Sequence, residues 1–301
     1  MSIDAIRAVV RRLGSSAGAL AAIGIALHAR ESGTSLDPQI QVQLDDVLDA
    51  LGARDAILDA DPARLGPVLA GIRGDFFLAA KLLSGKPGQR GWAHAETEIL
   101  QAFGDVSAGF PALLRSAIAP RLDGLLARLE APEASFLDVG VGVAALSVEM
   151  ARQWPSLHVV GIDPWPASLM IARKNVRKAG FTTRIALREQ AGENLSDLDE
   201  FDLAWVAGAF IPEPEISKVI ERVRRALRPG GWLLLAMASP GDDPLAAALA
   251  RFRAALWGGS LLSASGDAED VLTRSGLVAV RMLPGLPHSP IAIAAGRKSL
   301  E

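Results

Sequence analysis

The sequence predicts an α/β protein: a seven-stranded, largely parallel sheet with helices on both faces, preceded by an all-helical N-terminal region. Three observations carry this reading. Residues 1–131 show helical spacing of apolar positions and almost no strand signal. From Ser135 onward, short apolar runs alternate with helical stretches, the texture of a parallel sheet wound by crossover helices. Between the first run and its helix stands Asp138-Val139-Gly140-Val141-Gly142-Val143-Ala144, where glycines let the backbone turn sharply and approach a ligand closely.

Within the N-terminal region, Ile40, Val42, Leu44, Val47, Leu48 and Leu51 trace an apolar face. Asp45, Asp46 and Asp49 lie between them and Gly52 just beyond, so the segment predicts an amphipathic helix. Similar patterns occupy 3–13, 18–30 and 67–83. The breaker cluster at 85–91 predicts a hinge, after which helices resume from about Glu96, limited by Pro111 and Pro120. Strands are predicted at 136–139, 158–162, 184–188, 202–206 and 232–236, with two last strands at 277–283 and 291–295 joined by a turn rich in Pro and Gly. Crossover helices start near Val143, Ala167 and Pro214; the second ends at Gly180 and the third before Pro229-Gly230-Gly231. The chain thus divides into a helical N-terminal domain over 1–88, linker helices over 89–131 and a sheet domain over 132–301.

Composition narrows the function classes. The 301 residues are 50% hydrophobic and 22% charged, enough apolar mass for a core shared between two units. A net charge of −3, with the charges interspersed, argues against nucleic acid, whose phosphates call for a basic face. The densest basic run, 222–228, alternates with apolar residues and reads as the solvated side of a helix. There is no cysteine, which excludes disulfides, thiolate metal sites and thiol nucleophiles, and no tyrosine, the acid/base of many nicotinamide-dependent dehydrogenases. The apolar stretch at 17–27 is too short to span a bilayer and lacks a cleavage pattern, so the expectation is a cytoplasmic protein without a membrane partner.

The glycine turn by itself leaves two cofactors open. Gly140, Gly142 and Ala145 also fit the G-x-G-x-x-G/A pattern of dinucleotide folds, and Asp163, 25 residues after Asp138 at the end of the second strand, can accept hydroxyls of an adenosine ribose, which NAD and S-adenosylmethionine share. Asp138 directly ahead of the glycines, the approach Leu227-Arg228-Pro229-Gly230-Gly231-Trp232 to the fifth strand and the two closing strands tip the balance. Over roughly 170 residues the chain resembles the class I S-adenosylmethionine-dependent methyltransferase family, small-molecule type, with its Rossmann-like sheet. The resemblance implies S-adenosyl-L-methionine as cofactor, with Asp138, Gly140 and Gly142 at its methionine end and Asp163 at the ribose. It implies Pro164 or Trp165 over one face of the adenine, core packing being the equal alternative for Trp165. Gln190, Ala191 and Val206, after the third strand and at the end of the fourth, complete the implied contacts. Two departures stand out: Ala144 replaces the third glycine of the family's loop, and the acid that often meets adenine is absent from Glu189-Gln190-Ala191-Gly192-Glu193.

Methyl transfer needs alignment and exclusion of water more than a general base. The His common after the fourth or fifth strand of related O-methyltransferases is missing, since no His lies between His158 and His288. The catalytic candidates are therefore His94 after the hinge, His288 in the last turn, and Glu213 after the fourth strand, where Glu213 and Glu215 also suit a helix N-terminus. His28 reads as structural or exposed, and His158 opens the second strand at the end away from the cofactor. No compact metal-ligand cluster is visible. Trp92, Phe103, Phe110, Phe210 and Ile211 point to a hydrophobic or aromatic metabolite as acceptor, with oxygen the expected acceptor atom. The N-terminal helices would cover that substrate, mediate a homodimer, or both. A nicotinamide-dependent oxidoreductase and a non-catalytic S-adenosylmethionine-binding protein are the alternatives.

Overall fold

The computed structural model describes residues 3–84, 94–238, 243–257, 259, 267–284 and 291–300. They group into two compact units, Met1–Gly85 with Asp105–Gly109, and Lys86–Gly104 with Phe110–Glu301. The segment read from sequence as linker helices thus groups, apart from 105–109, with the sheet.

The first unit is helical: α1 (Ile3–Ser32), α2 (Pro38–Ala50), α3 (Arg54–Asp59) and α4 (Gly66–Ser84). The two helices predicted at 3–13 and 18–30 are one continuous helix of 30 residues. Gly14 and Gly18 each cost only about 1 kcal/mol of helix propensity, and Ser15 and Ser16 fold their hydroxyls back onto the carbonyls of Arg11 and Arg12 instead of interrupting the ladder. Asp37 caps α2 by accepting from the amides of Gln39 and Ile40. Leu44 and Leu48 pack on Ala26, and Leu65 and Leu69 on Leu27, in two small clusters.

The second unit contains α5 (Thr97–Asp105), α6 (Phe110–Leu113), α7 (Leu125–Glu130), β1 (Ser135–Val139), α8 (Ala145–Gln153), β2 (His158–Asp163), α9 (Pro166–Ala179), β3 (Ile185–Glu189), β4 (Phe201–Ala207), α10 (Glu213–Ala226), β5 (Leu227–Ala238), α11 (Pro244–Trp257), α12 (Asp267–Arg274), β6 (Val278–Met282) and β7 (Ile291–Arg297). The seven strands form one sheet in the order β3-β2-β1-β4-β5-β7-β6. All pairings are parallel except those of β7 with β5 and β6. Side chains alternate across the sheet. Phe136, Val159, Leu203 and Trp232 pack with α7, α8 and α9 on one face. Leu137, Ile162, Val206 and Leu233 pack with α10 and α12 on the other.

The helix start and stop signals hold to within two residues for α8 to α10. Gly180, at φ +78°, ends α9 in the left-handed conformation that glycine adopts without cost. The Pro229-Gly230-Gly231 segment differs from its reading as a break before the fifth strand. β5 begins at Leu227, and its register with β4 shifts between Phe201 and Leu203, so the segment is a bulge inside the strand. The basic run departs from its reading as a solvated helix side: only Arg225 is exposed, Arg222 and Arg224 are half-buried, and Arg228 lies in β5 and donates to the buried Asp202.

At the amino ends of the strands, Asp202 is buried and accepts from Arg128 (3.1 Å), Arg228 (2.6 Å) and the Ser135 amide (3.0 Å). This network ties β1, β4, β5 and α7 together.

Candidate functional site

Strand order reverses between β1 and β4, with β2 and β3 on one side and β5 onward on the other. Such a reversal opens a crevice at the carboxyl ends of the strands, because neighbouring connections leave in opposite directions. The glycine turn lies there. The amides of Gly140 and Val141 both donate to the Ile162 carbonyl at the end of β2, at 2.9 and 3.0 Å. Gly140 (φ +80°) and Gly142 (φ +53°) adopt left-handed conformations, and a Cβ on Gly140 would stand 3.3 Å from the Ala207 methyl at the end of β4. The turn is a cradle that a side chain at position 140 would partly fill. Ala144, which replaces the family's third glycine, also sits left-handed at φ +64° as it enters α8, and is fully buried.

Two buried carboxylates flank this turn. Asp138 is 2% exposed and receives the Ser147 hydroxyl of α8 at 2.6 Å. Burial pushes its carboxyl up to about 7; the Ser147 bond opposes that rise and the nearby charge of Asp163 adds to it. Asp163, at the end of β2, accepts from the Gly142 amide at 2.9 Å and the Trp165 amide at 2.8 Å, one per carboxylate oxygen. Burial raises its pKa as well, and those two backbone bonds oppose the rise. Each oxygen keeps lone-pair capacity for a further donor. A ligand that is cationic at one end and carries hydroxyls at the other matches this pair. The residues therefore fit S-adenosylmethionine, whose ammonium and ribose diol present those groups.

The other predicted contacts distribute unevenly. Trp165 is half-buried against Leu100, Val143 and Ile171, and its indole N–H donates to the His94 carbonyl at 2.7 Å. Packing and tethering account for it, while Pro164 beside it is exposed. The Gln190 amide bonds the Asp163 carbonyl, and its side-chain nitrogen donates to the Asn194 carbonyl at 2.9 Å. Its side-chain oxygen is thereby oriented by a turn that begins after Ala191. The Val206 side chain is fully buried on the α10 face with Val139 and Ile216, which leaves its backbone alone to meet a cofactor. Strand alternation turns that side chain away from the turn, and the next residue, Ala207, faces Gly140 instead.

Among the catalytic candidates, the His94 side chain is 13% exposed, with Nδ1 4.0 Å from a carboxylate oxygen of Glu96. Glu213 is exposed and is the first residue of α10, beside Glu215 in its first turn, where carboxylates complement the helix dipole. His288, like Trp92, lies outside the described residues. His158 opens β2 opposite Ser135, at the far end of the strands from the turn. No group of three or more metal-ligating side chains occurs among the described residues.

Three contributors were missed in the sequence. Ser147 holds Asp138, and a hydroxyl one turn into the helix that follows the glycines was the available signal. Asn175 of α9 donates to the Val143 carbonyl (2.9 Å) and to the Gln101 side chain (3.1 Å), bracing the turn against α5. Trp205, register partner to Asp138, packs at a tilt of 47° on Phe110, which the sequence did single out, with centroids 4.4 Å apart. Neither of these two contacts has a local sequence signal.

Residues 136–231 match the family described as Methyltransferase domain. Among curated relatives, the release factor glutamine methyltransferase of Cereibacter sphaeroides is 31% identical over 182 residues, covering 56% of this chain and 61% of its own length. The ubiquinone biosynthesis O-methyltransferase of Hahella chejuensis is 33% identical over 115 residues, covering 38% of this chain and 47% of its own. The chain thus spans less than two thirds of either relative. Among solved structures, PigF with SAH superposes over 99% of both chains with a TM-score of 0.64 at 17% identity, a likeness of fold. Sheet order, glycine turn and sequence match agree: residues 136–231 carry a methyltransferase domain, in a seven-stranded sheet unit that follows an N-terminal helical region and in a chain whose fold is like that of PigF with SAH.

Proposed function

We propose that this chain is an S-adenosylmethionine-dependent methyltransferase acting on a small, hydrophobic or aromatic metabolite, with oxygen as acceptor atom. The observation that carries the reading is the pair of buried carboxylates, Asp138 and Asp163, on either side of a glycine turn at the sheet's reversal point. When bound, S-adenosylmethionine supplies a methyl group activated by a sulfonium. Asp163 would hold the ribose hydroxyls, fixed in aim by its two backbone donors. Asp138, held by Ser147, would ionise to meet the ammonium, because a cation beside it favours its charged form. Gln190, oriented by its bond to the Asn194 carbonyl, would offer its side-chain oxygen to the adenine amino group.

Acceptor class rests on different support. The net charge of −3 disfavours nucleic acid, and the aromatic pair Phe110 and Trp205, on the Asp138 side of the sheet, suits an apolar acceptor. Oxygen is favoured by the O-methyltransferase name of the Hahella relative. For deprotonation of the acceptor, His94 is favoured over Glu213, since its backbone is anchored through Trp165 to the residue run that carries Asp163.

Calorimetry with S-adenosylmethionine, S-adenosylhomocysteine and NAD, on the wild type and Asp163→Ala, tests the reading. Micromolar binding of the first two alone, weakened at least tenfold by the substitution, is expected, a loss of about 1.4 kcal/mol or more. A preference for NAD, or no binding at all, would refute it. Turnover of an aromatic hydroxyl panel then tests the acceptor class.

A further inference from the structure

The glycine turn also carries two valines, and both are buried: Val141 is 6% and Val143 1% exposed. Each is seated where a glycine of another element leaves room. A Cβ on Gly161 of β2 would stand 2.5 Å from Val141 Cγ2, and a Cβ on Gly104 of α5 would stand 2.2 Å from Val143 Cγ2. Carbon atoms in ordinary contact lie about 3.5–4.0 Å apart, so neither notch admits a methyl without a movement of about 1 Å or more. The seat of Val143 is completed by α9. Ala167, Ile171 and Asn175, each four residues from the next, lie on one face of that helix. Ala167 and Ile171 pack with Leu100 and Val143. Asn175 divides the two protons of its side-chain amide between the Val143 carbonyl (2.9 Å) and the Gln101 side chain (3.1 Å).

Val143 stands between the residues that hold the two buried acids. Gly142, directly before it, donates its amide to Asp163, and Ser147, four residues after it, donates its hydroxyl to Asp138. Ala144, directly after it, is left-handed at φ +64°. A side chain disfavours that conformation, which persists only where the surroundings impose it. Glycine would adopt it freely; an alanine has to be held.

We infer, on the reading of the crevice as an S-adenosylmethionine site, that Gly104, Gln101 and Asn175 are positioning residues for the cofactor. They clamp Val143 onto α5, and through Val143 they hold the left-handed Ala144 and the aim of Asp163 and Asp138. A contact that served packing alone would change stability and leave the affinity of the folded protein where it was. A clamp on the turn changes affinity, and trimming Val143 relieves the change.

Calorimetry of S-adenosylmethionine and S-adenosylhomocysteine binding, with thermal melts of the same samples, separates the two. Gly104→Ala should weaken both ligands at least about tenfold at a temperature where the variant is fully folded. Val143→Ala removes the methyls that meet the new side chain and leaves the Val143 Cβ, at 3.4 Å, as ordinary contact. The double variant should therefore bind within about threefold of Val143→Ala alone, a non-additive pair. Asn175→Asp poses the same question without a steric clash, since it keeps the side chain's shape and replaces the donor by a carboxylate oxygen; it too should weaken binding at least about tenfold. In the cofactor-free protein, both Gly104→Ala and Asn175→Asp should raise amide hydrogen exchange over 142–147. Absence of binding by the wild type would remove the cofactor reading and the clamp together. With a wild type that binds, the clamp alone would be overturned by lowered melting at unchanged affinity in Gly104→Ala or Asn175→Asp, by a double variant whose loss is the product of the separate losses, or by unchanged exchange over 142–147.

Discussion

Replacing Asp138 by Asn should make the sheet unit more stable at neutral pH, and by an amount that depends on pH. The carboxyl is buried and its pKa stands at about 7 against an ordinary value of 3.8. A folded-state pKa above the unfolded one means that the folded protein holds the proton more tightly, so stability falls as pH rises between the two values. Below about pH 4 the group is neutral in both states and costs nothing. Between about pH 4 and 7 the unfolded chain ionises first, and above about pH 7 the full cost is present. Roughly three pH units at about 1.4 kcal/mol each give a penalty of about 4 kcal/mol. Asn keeps an oxygen to accept from Ser147 and has no charge to bury. The difference between Asp138→Asn and wild type should therefore be near zero at pH 4 and grow to a few kcal/mol by pH 8. Urea unfolding followed by tryptophan fluorescence reads this unit alone, because all six tryptophans fall at or after position 92 and outside 105–109. Parallel stability profiles for the two proteins from pH 4 to 8 would refute the reasoning. The same substitution should weaken S-adenosylmethionine binding, so that stability and affinity move in opposite directions.

Gly140→Ala places a methyl 3.3 Å from Ala207 at φ +80°, and should cost about 1–2 kcal/mol of stability and lower cofactor affinity at least tenfold by calorimetry. Trp165→Phe retains most of the packing on Leu100, Val143 and Ile171 but deletes the donor to the His94 carbonyl. It should leave S-adenosylmethionine affinity within about threefold while raising amide exchange around 94–96, and a large loss of affinity would restore Trp165 to an adenine-covering role. Asp202→Ala strands two arginines around a buried position and should destabilise by about 3–5 kcal/mol, with cofactor affinity at 25 °C unchanged in the fraction that remains folded.

Much of this architecture was legible because its signals are local. Strands β1, β2 and β4 are short apolar runs that end at or just before Asp or Gly, and the alternation of strands with amphipathic helices leaves few topologies open. The glycine turn and Asp163 were legible because a left-handed backbone and a charged strand end are unusual choices in a core. What could not be read depended on contacts across the sequence. α1 continues through Gly14 and Gly18 because two glycines cost less than breaking a helix of 30 residues. Pro229-Gly230-Gly231 has the composition of a helix stop and a turn, yet Lys298 donates to the Gly231 carbonyl at 2.8 Å, and that contact supports a bulge 67 residues away in sequence. The Trp165 tether spans 71 positions and no spacing rule finds it.

The division of labour between the two acids follows from what holds them. Asp163 has a backbone N–H on each oxygen, and those donors come from the turn and from its own strand end, so they persist whenever the turn is folded. Asp138 is buried, with one side-chain hydroxyl to favour its charge and the Asp163 carboxylate nearby to oppose it, so its charge depends on what enters the crevice. Equal sequence signals, an Asp at each strand end, thus become a standing acceptor and a conditional one. A cationic ligand should release a proton from Asp138 as it binds near neutral pH, whereas a neutral nucleoside should not. Calorimetry of S-adenosylmethionine at pH 7 in buffers of different ionisation enthalpy, compared with adenosine, measures that release. Equal proton counts for the two ligands would place the raised carboxyl outside the cofactor's reach.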